Sequence, residues 1–200
     1  MISIFVTKMK HIFLFVILFF TFQQNVWSDD LFNEFLVAKS HMPDSRFKET
    51  VIVMLSHNQE GAVGLVVNKP IETLSISKLF TGNNLHPPEK ILKKEITLYW
   101  GGPVEPQNIY FIHSSDYTSK DFIFSNQNFT ITRSPDILFD IAVNEGPKNY
   151  LILAGIAVWQ PGQLDFEIVQ GDWYKKLNSY IPLFNNGNEM WSRLIRSQDI

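Results

Sequence analysis

Four of the five histidines, His41, His57, His86 and His113, lie beyond residue 28 and are the side chains best suited to proton transfer near neutrality. Ser56 precedes His57, and Asp44, Asp116 and Asp136 offer a third member for a hydrolytic triad. The spacing does not favour one. No Gly-x-Ser-x-Gly elbow presents a serine, and sequence neighbours rarely point the same way. No two histidines form a His-x-His or His-Glu-x-x-His pair, so no metal site is expected. The chain has no cysteine, which removes disulfides, thiolate catalysis, zinc–thiolate sites and a cysteine-linked lipid anchor. The catalytic possibility left open is a general base at His57 or His113, and no cofactor is expected.

Two glycine-bearing stretches follow apolar runs. Gly101-Gly-Pro-Val104 could cradle an anion with its backbone N–H groups. It lacks the lysine and Ser/Thr of a P-loop and the third glycine of a dinucleotide fingerprint, so a tight turn is the simpler reading. The second stretch, Gly61-Ala-Val-Gly-Leu-Val-Val-Asn-Lys-Pro70, is the most distinctive in the chain. Val51 to Leu55 and Ala62 to Val67 read as two buried strands. The turn formers Ser56 to Gly61 between them predict a hairpin with a loop longer than two residues. Gly64 suggests a bulge or a close backbone approach, and Pro70 is expected to end the strand. Asn68 and Lys69 then sit where a strand leaves its sheet.

These residues need a scaffold. Phe35 to Ala38 reads as a first strand and Ser75 to Phe80 as a short helical turn. Glu95 to Trp100 reads as a strand with Ile109 to His113 as its partner, and Tyr150 to Val158 as a central buried strand. Ser134-Pro-Asp has the marks of a helix start, with Gly146-Pro147 as its stop. Leu164 and Ile168 fit a helix closed by Gly171, and Glu189 to Ile195 a last helix. Trp159, Trp173 and Trp191 read as core or interface aromatics. Hairpins and helices of unequal length point to an α+β domain, a mixed sheet rather than a doubly wound one.

Lys8 and Lys10, the apolar run Ile12 to Phe20 and the end Val26-Trp-Ser28 have the three parts of a secretory signal peptide. Residues 1–28 are therefore expected to be removed, leaving 29–200 as one domain that is periplasmic or secreted, with a cytoplasmic location as the alternative. The apolar run is too short to span a bilayer, so no stable membrane span is expected after removal. The 17 basic residues less Lys8 and Lys10 leave 15 against 20 acidic, a net charge of −5. With Glu89 and Glu95 flanking the densest basic cluster, Lys90 to Lys94, direct nucleic-acid binding is not expected.

Phe35-Leu-Val-Ala38, Met42 with Asp44 and Phe47, Val51-Ile52, His57-Asn58 and the Gly61 to Pro70 stretch come first. Gly101-Gly-Pro-Val104, His113, Ser134 with Asp136-Ile-Leu138, Gly146-Pro147 and Trp159-x-x-Gly-Gln-Leu164 follow. In this order, over roughly Phe35 to Ile195, they resemble the bacterial AlgH/YqgE family. The resemblance implies a compact α+β fold with a small β-barrel-like element surrounded by helices. The family's name comes from a proposed role in transcriptional regulation of alginate synthesis. Its biochemical activity is not established, and it carries over no catalytic residues. The chain departs from the family where Gly155-Ile-Ala-Val-Trp159 replaces the common Gly-Tyr-Ala-Gly-Trp, and where Asp172 replaces the Asn before the later Trp. A signal peptide is also atypical of a family usually thought cytoplasmic.

The resulting expectation is a non-enzymatic regulatory or accessory domain that binds a small molecule or a protein. The alternatives are an enzyme with a histidine general base and a direct transcriptional regulator. His57, Asn68, Lys69, Gly101, Gly102, His113, Trp159 and Gln163 are the residues expected on a shared binding surface.

Overall fold

The computed structural model describes residues 34–82, 84–87, 94–177, 183–184 and 189–197. The leader expected over 1–28 lies outside the described residues. The chain runs β1 (Glu34–Ala38), β2 (Val51–Asn58), β3 (Gly61–Val66), β4 (Pro70–Ser75), α1 (Ile76–Gly82), β5 (Glu95–Trp100) and β6 (Val104–Ser114). It continues with β7 (Phe122–Ser125), β8 (Phe129–Thr132), α2 (Asp136–Val143), β9 (Tyr150–Trp159), α3 (Gln163–Gln170), β10 (Trp173–Leu177) and α4 (Met190–Arg196).

The strands form one mixed sheet in the order β10-β1-β2-β3-β9-β6-β8-β7, from which β5 and β4 branch off at β9. The uninterrupted apolar run of β9 has a physical reason. This strand pairs antiparallel with β3 and β6 and parallel with β5, so it is covered on nearly every side. The sheet curls into a half-barrel, an α+β fold with α1, α2 and α3 against its outer face. Alternate side chains of β1, β2, β6, β8 and β9 meet inside the curl, where Phe35 of β1 and Phe129 of β8 come edge to face at 6.4 Å. Met190 and Leu194 of α4 complete that interior, and Trp191 Nε1 donates to the Ala38 carbonyl at 2.6 Å.

The outer surface of the sheet carries two further clusters. One lies beneath α1 and α2, built on Ile76, Phe80, Ile137, Ile141, Phe111 and Ile152. The other lies beneath α3 and the loop after β1, built on Ile52, Val66, Ala157, Trp159, Leu164 and Trp173.

Several expectations need correction. The β2–β3 hairpin pairs out to Asn58 and Gly61, so its loop is only Gln59-Glu60, with Asn58 Oδ1 accepting from the Glu60 N–H at 2.8 Å. Pro70 starts β4 instead of ending β3, in the one strand position where a missing N–H costs least. Ile109 to His113 does not pair with Glu95 to Trp100: β5 pairs with β4 and β9, and β6 with β8 and β9. The α2 helix closes on Asn144 in the left-handed conformation, ahead of Gly146-Pro147. Ser134 Oγ reaches the Asp136 N–H only at 3.4 Å. Gly64 does sit beside a register shift between Met54 and Ser56, and a Cβ there would lie 2.6 Å from Ile52 Cγ2.

Leu194 is 6 % exposed and closes the inside of the curl. Leu194→Ala is expected to cost about 2–4 kcal/mol through lost burial and an unfilled cavity. Urea unfolding should show this as a lower midpoint with an unchanged slope.

Candidate functional site

Trp159 ends β9, and Trp173 opens β10. The α3 helix between them crosses the outer face of the sheet with Leu164 buried beneath it. Gly162 in the left-handed conformation turns the chain into this helix, and Gly171, also left-handed, turns it out into β10. The geometry brings both indoles to one carboxylate. Glu167 Oε2 accepts from Trp159 Nε1 at 2.9 Å and from Trp173 Nε1 at 2.8 Å. Its Oε1 accepts from Gln163 Nε2 at 2.9 Å, and Gln163 Oε1 accepts the Gln160 N–H at 3.0 Å. The carboxylate thus has three neutral donors, and its hydrogen bonds join β9, α3 and β10.

Phe47, from the loop between β1 and β2, sits at the centre of three tryptophans. Its ring lies 5.6 Å from Trp100, 6.2 Å from Trp159 and 6.0 Å from Trp173. The end of that loop is held by Asn68, which is buried. Asn68 Oδ1 accepts from the Val51 N–H at 2.7 Å, and Nδ2 donates to the Glu49 carbonyl at 2.9 Å. Glu49 has a φ of 57°, so these bonds hold a backbone conformation that a side chain disfavours. At the loop's other bend, Arg46 pairs with Asp44 at 2.6 Å, and this contact holds the Asp44 carboxyl below the usual carboxylate range. Asn68 is therefore an internal strut. Lys69 runs beside the same cluster, its carbonyl accepting from the Trp100 N–H at 2.8 Å.

His57 faces α3 from the end of β2, its Nε2 lying 2.9 Å from Asp165 Oδ1. The ring is 15 % exposed and the carboxylate 62 %. A carboxylate accepts, so Nε2 carries the proton and Nδ1 is the position left to accept one. Gly101 and Gly102 are buried, and no anion cradle opens there. A Cβ on Gly101 would run into the Gly155 carbonyl, and one on Gly102 into the backbone of Ile156 and Ala157. The two glycines exist to let residues 101–102 cross β9 at backbone contact.

His113 belongs elsewhere. It lies fully buried under α2, edge to face with Tyr117 at 5.3 Å. Its Nδ1 donates to the Ser114 carbonyl at 2.9 Å, which leaves Nε2 as a bare acceptor with no partner. Tyr117 donates its hydroxyl to Asp140 Oδ2 at 2.5 Å, and burial and that bond push its phenol well above the ordinary range. Of the eight expected residues, His57, Trp159 and Gln163 converge on α3. Asn68, Lys69, Gly101 and Gly102 build the layer beneath and beside it, and His113 is separate. Among the described residues no group of three or more potential metal ligands occurs, and no helix is long and apolar enough to cross a membrane.

A sequence profile described as AlgH-like matches residues 35–200. The chain belongs to the AlgH-like family. A UPF0301 protein of Cereibacter sphaeroides is 32% identical over 173 residues, covering 86% of this chain and 93% of the relative. One from Methylococcus capsulatus is 38% identical over 144 residues, covering 72% and 78%. The solution structure of the AlgH protein of Pseudomonas aeruginosa superposes with a TM-score of 0.68 at 30% identity, over 88% of this chain and 92% of that one. A Corynebacterium diphtheriae protein, DIP2367, shares the fold alone, with a TM-score of 0.63 at 19% identity over 86% and 89%.

In this AlgH-like chain the sequence reading missed Glu167 and Asp165, which look like ordinary solvated acids of a surface helix. The available signal was Gln163 and Glu167 four apart, between two tryptophans at either end of the segment. Glu167→Ala strands two indole donors and is expected to cost about 2–4 kcal/mol, whereas Glu167→Gln, which keeps an acceptor oxygen, should cost less than half of that. Tryptophan emission followed during urea unfolding reads both the stability and the environment of the pair. Asn68→Ala is expected to cost about 2–3 kcal/mol, since it leaves the Val51 N–H and the Glu49 carbonyl without partners. Faster amide exchange confined to the loop before β2 would locate that loss.

Proposed function

We propose that this AlgH-like protein is a non-enzymatic binding domain with a regulatory or accessory role, acting through the outward face of α3 on a protein partner. One observation carries the reading: Phe166 is 64% exposed and Val169 82% exposed, three residues apart on a helix held to the sheet by Leu164 and the Glu167 hydrogen bonds. A helix that has already buried Leu164 gains nothing within its own fold from two more apolar side chains in water. Presented from a fixed helix, they are preorganised to enter a partner's groove with little ordering cost. The acidic balance of the chain supports a protein partner over a nucleic acid.

A second reading rests on the His57–Asp165 pair, in which the carboxylate orients the imidazole and leaves Nδ1 as a general base. The two readings separate experimentally. Phe166→Ser with Val169→Ser is expected to abolish partner capture by the full-length protein, and the cellular phenotype with it, at an unchanged thermal midpoint. His57→Ala should leave capture intact. If the double variant behaved as wild type while His57→Ala lost the phenotype, the general-base reading would replace the binding one.

A further inference from the structure

Phe47 occupies a place that three indoles define. Its ring centre lies 5.6, 6.2 and 6.0 Å from those of Trp100, Trp159 and Trp173, close to cation–π range for all three at once. The ring stacks on Trp159 at an interplanar angle of 27°, and Trp159 and Trp173 stand at 79° to each other as two walls. Both walls donate Nε1–H to the Glu167 carboxylate, which forms no ion pair among the described residues. Donation to an anion raises the electron density of an indole face, and the carboxylate adds its own negative potential beside it. The place therefore favours a cation more strongly than three isolated tryptophans would.

Phe47 is seated there as a plug. Among the described residues, those at 43–48 hydrogen-bond only within their own loop. Pro43, Ser45, Arg46 and Lys48 are exposed, so the Phe47 ring is what fastens this stretch to the aromatic cluster. Glu49, at the loop's end, keeps its disfavoured φ of 57° while Asn68 holds its carbonyl, and a change at this bend relieves strain. A swing between the buried Met42 and Glu49 withdraws the ring without breaking a hydrogen bond to the sheet.

We propose that the space filled by Phe47 is a binding site for a quaternary ammonium group, with the loop between β1 and β2 as its lid. A trimethylammonium head is similar in width to a phenyl ring and has no N–H, so it needs no acceptor from a site whose acceptors are engaged. It takes the place of the ring among Trp100, Trp159 and Trp173, while Glu167 keeps both indole donors and balances the charge. Arg46, whose guanidinium lies 5.7 Å from the Phe47 ring centre, leaves with the loop and takes its like charge away. The site lies behind α3 and holds whether or not a protein docks on the outward face of that helix.

Choline and neohexanol, its uncharged carbon isostere, titrated into the full-length protein and followed by tryptophan emission and amide chemical shifts, test this directly. Choline is expected to shift residues 43–49 and the indole N–H signals, and to bind about tenfold more tightly than the alcohol. Phe47→Ala, which removes the competing ring, should tighten choline by about tenfold. Glu167→Gln should weaken choline about fivefold with little change for the alcohol. Sedimentation with phosphatidylcholine vesicles, against phosphatidylglycerol vesicles, separates two sources of the group. Selective sedimentation supports a lipid headgroup, and choline binding without it supports a free ligand. No binding of choline, equal binding of choline and alcohol, an unchanged choline affinity in both variants, or shifts confined to other parts of the chain would overturn the proposal. Should Phe47→Ala fail to fold, the comparison of choline with the alcohol on the wild-type protein decides.

Discussion

The crossing of two backbones with no side chain between them sets the geometry of this fold. Gly101 and Gly102 lie against Gly155 and Ile156 in β9, and Gly155, at a φ of 77°, approaches Gly102 just as closely from the other side. The Gly101 N–H donates to the Ala154 carbonyl at 2.8 Å, and the Val66 N–H donates to the Gly101 carbonyl at 2.9 Å, so the crossing is also hydrogen-bonded on both sides. Through it the chain leaves β5, parallel to β9, and re-enters as β6, antiparallel to the same strand. A methyl group at either glycine would force the strands apart, and β9 would lose a partner it cannot replace with water. The same crossing places Trp100 at the edge of the aromatic cluster.

Glu167 shows how a fold can use an acid without a cation. An ion pair half-buried at this position would gain attraction but carry the desolvation of two charges. Three neutral donors spread the charge of one carboxylate over two indoles and an amide, and each is a group that also needed an acceptor. The arrangement fixes three elements at once, because the donors belong to β9, α3 and β10. Phe47 then closes the space among the tryptophans, and the loop that carries it is anchored at Glu49 by Asn68.

Legibility in the sequence followed the source of each element's stability. β9 and the β2–β3 hairpin declare themselves by composition, because burial on both faces demands an unbroken apolar run. α2 and α3 are legible through periodicity and through Gly171. The strands β4, β7 and β10 were not, since they lie at the sheet's margins with mixed exposure and are held by pairing. The distinctive Gly61 to Pro70 stretch runs Asn68-Lys69 beside Trp100 and Gly101. What spacing could not reveal was orientation. Asn68 and Gly101 have the residue types of a ligand site, yet their polar groups are taken up by the chain's own backbone.

That commitment bears on where function can reside. A polar group that already satisfies a buried backbone partner cannot turn to a ligand without leaving that partner unpaired. The penalty is comparable to the strength of the new hydrogen bond, so the exchange yields no affinity. Asn68 and Gly101 are committed in this way to backbone partners, and Glu167 to two indole donors, so these residues act as a frame. In the proposed role, recognition falls to groups the frame leaves uncommitted: Phe166 and Val169 on α3, and Nδ1 of His57 at its edge. These stand on elements whose positions are fixed by satisfied hydrogen bonds and close packing. A partner or ligand meeting them would therefore lose little free energy in ordering the protein, and its affinity would be set by the interactions made at the surface itself.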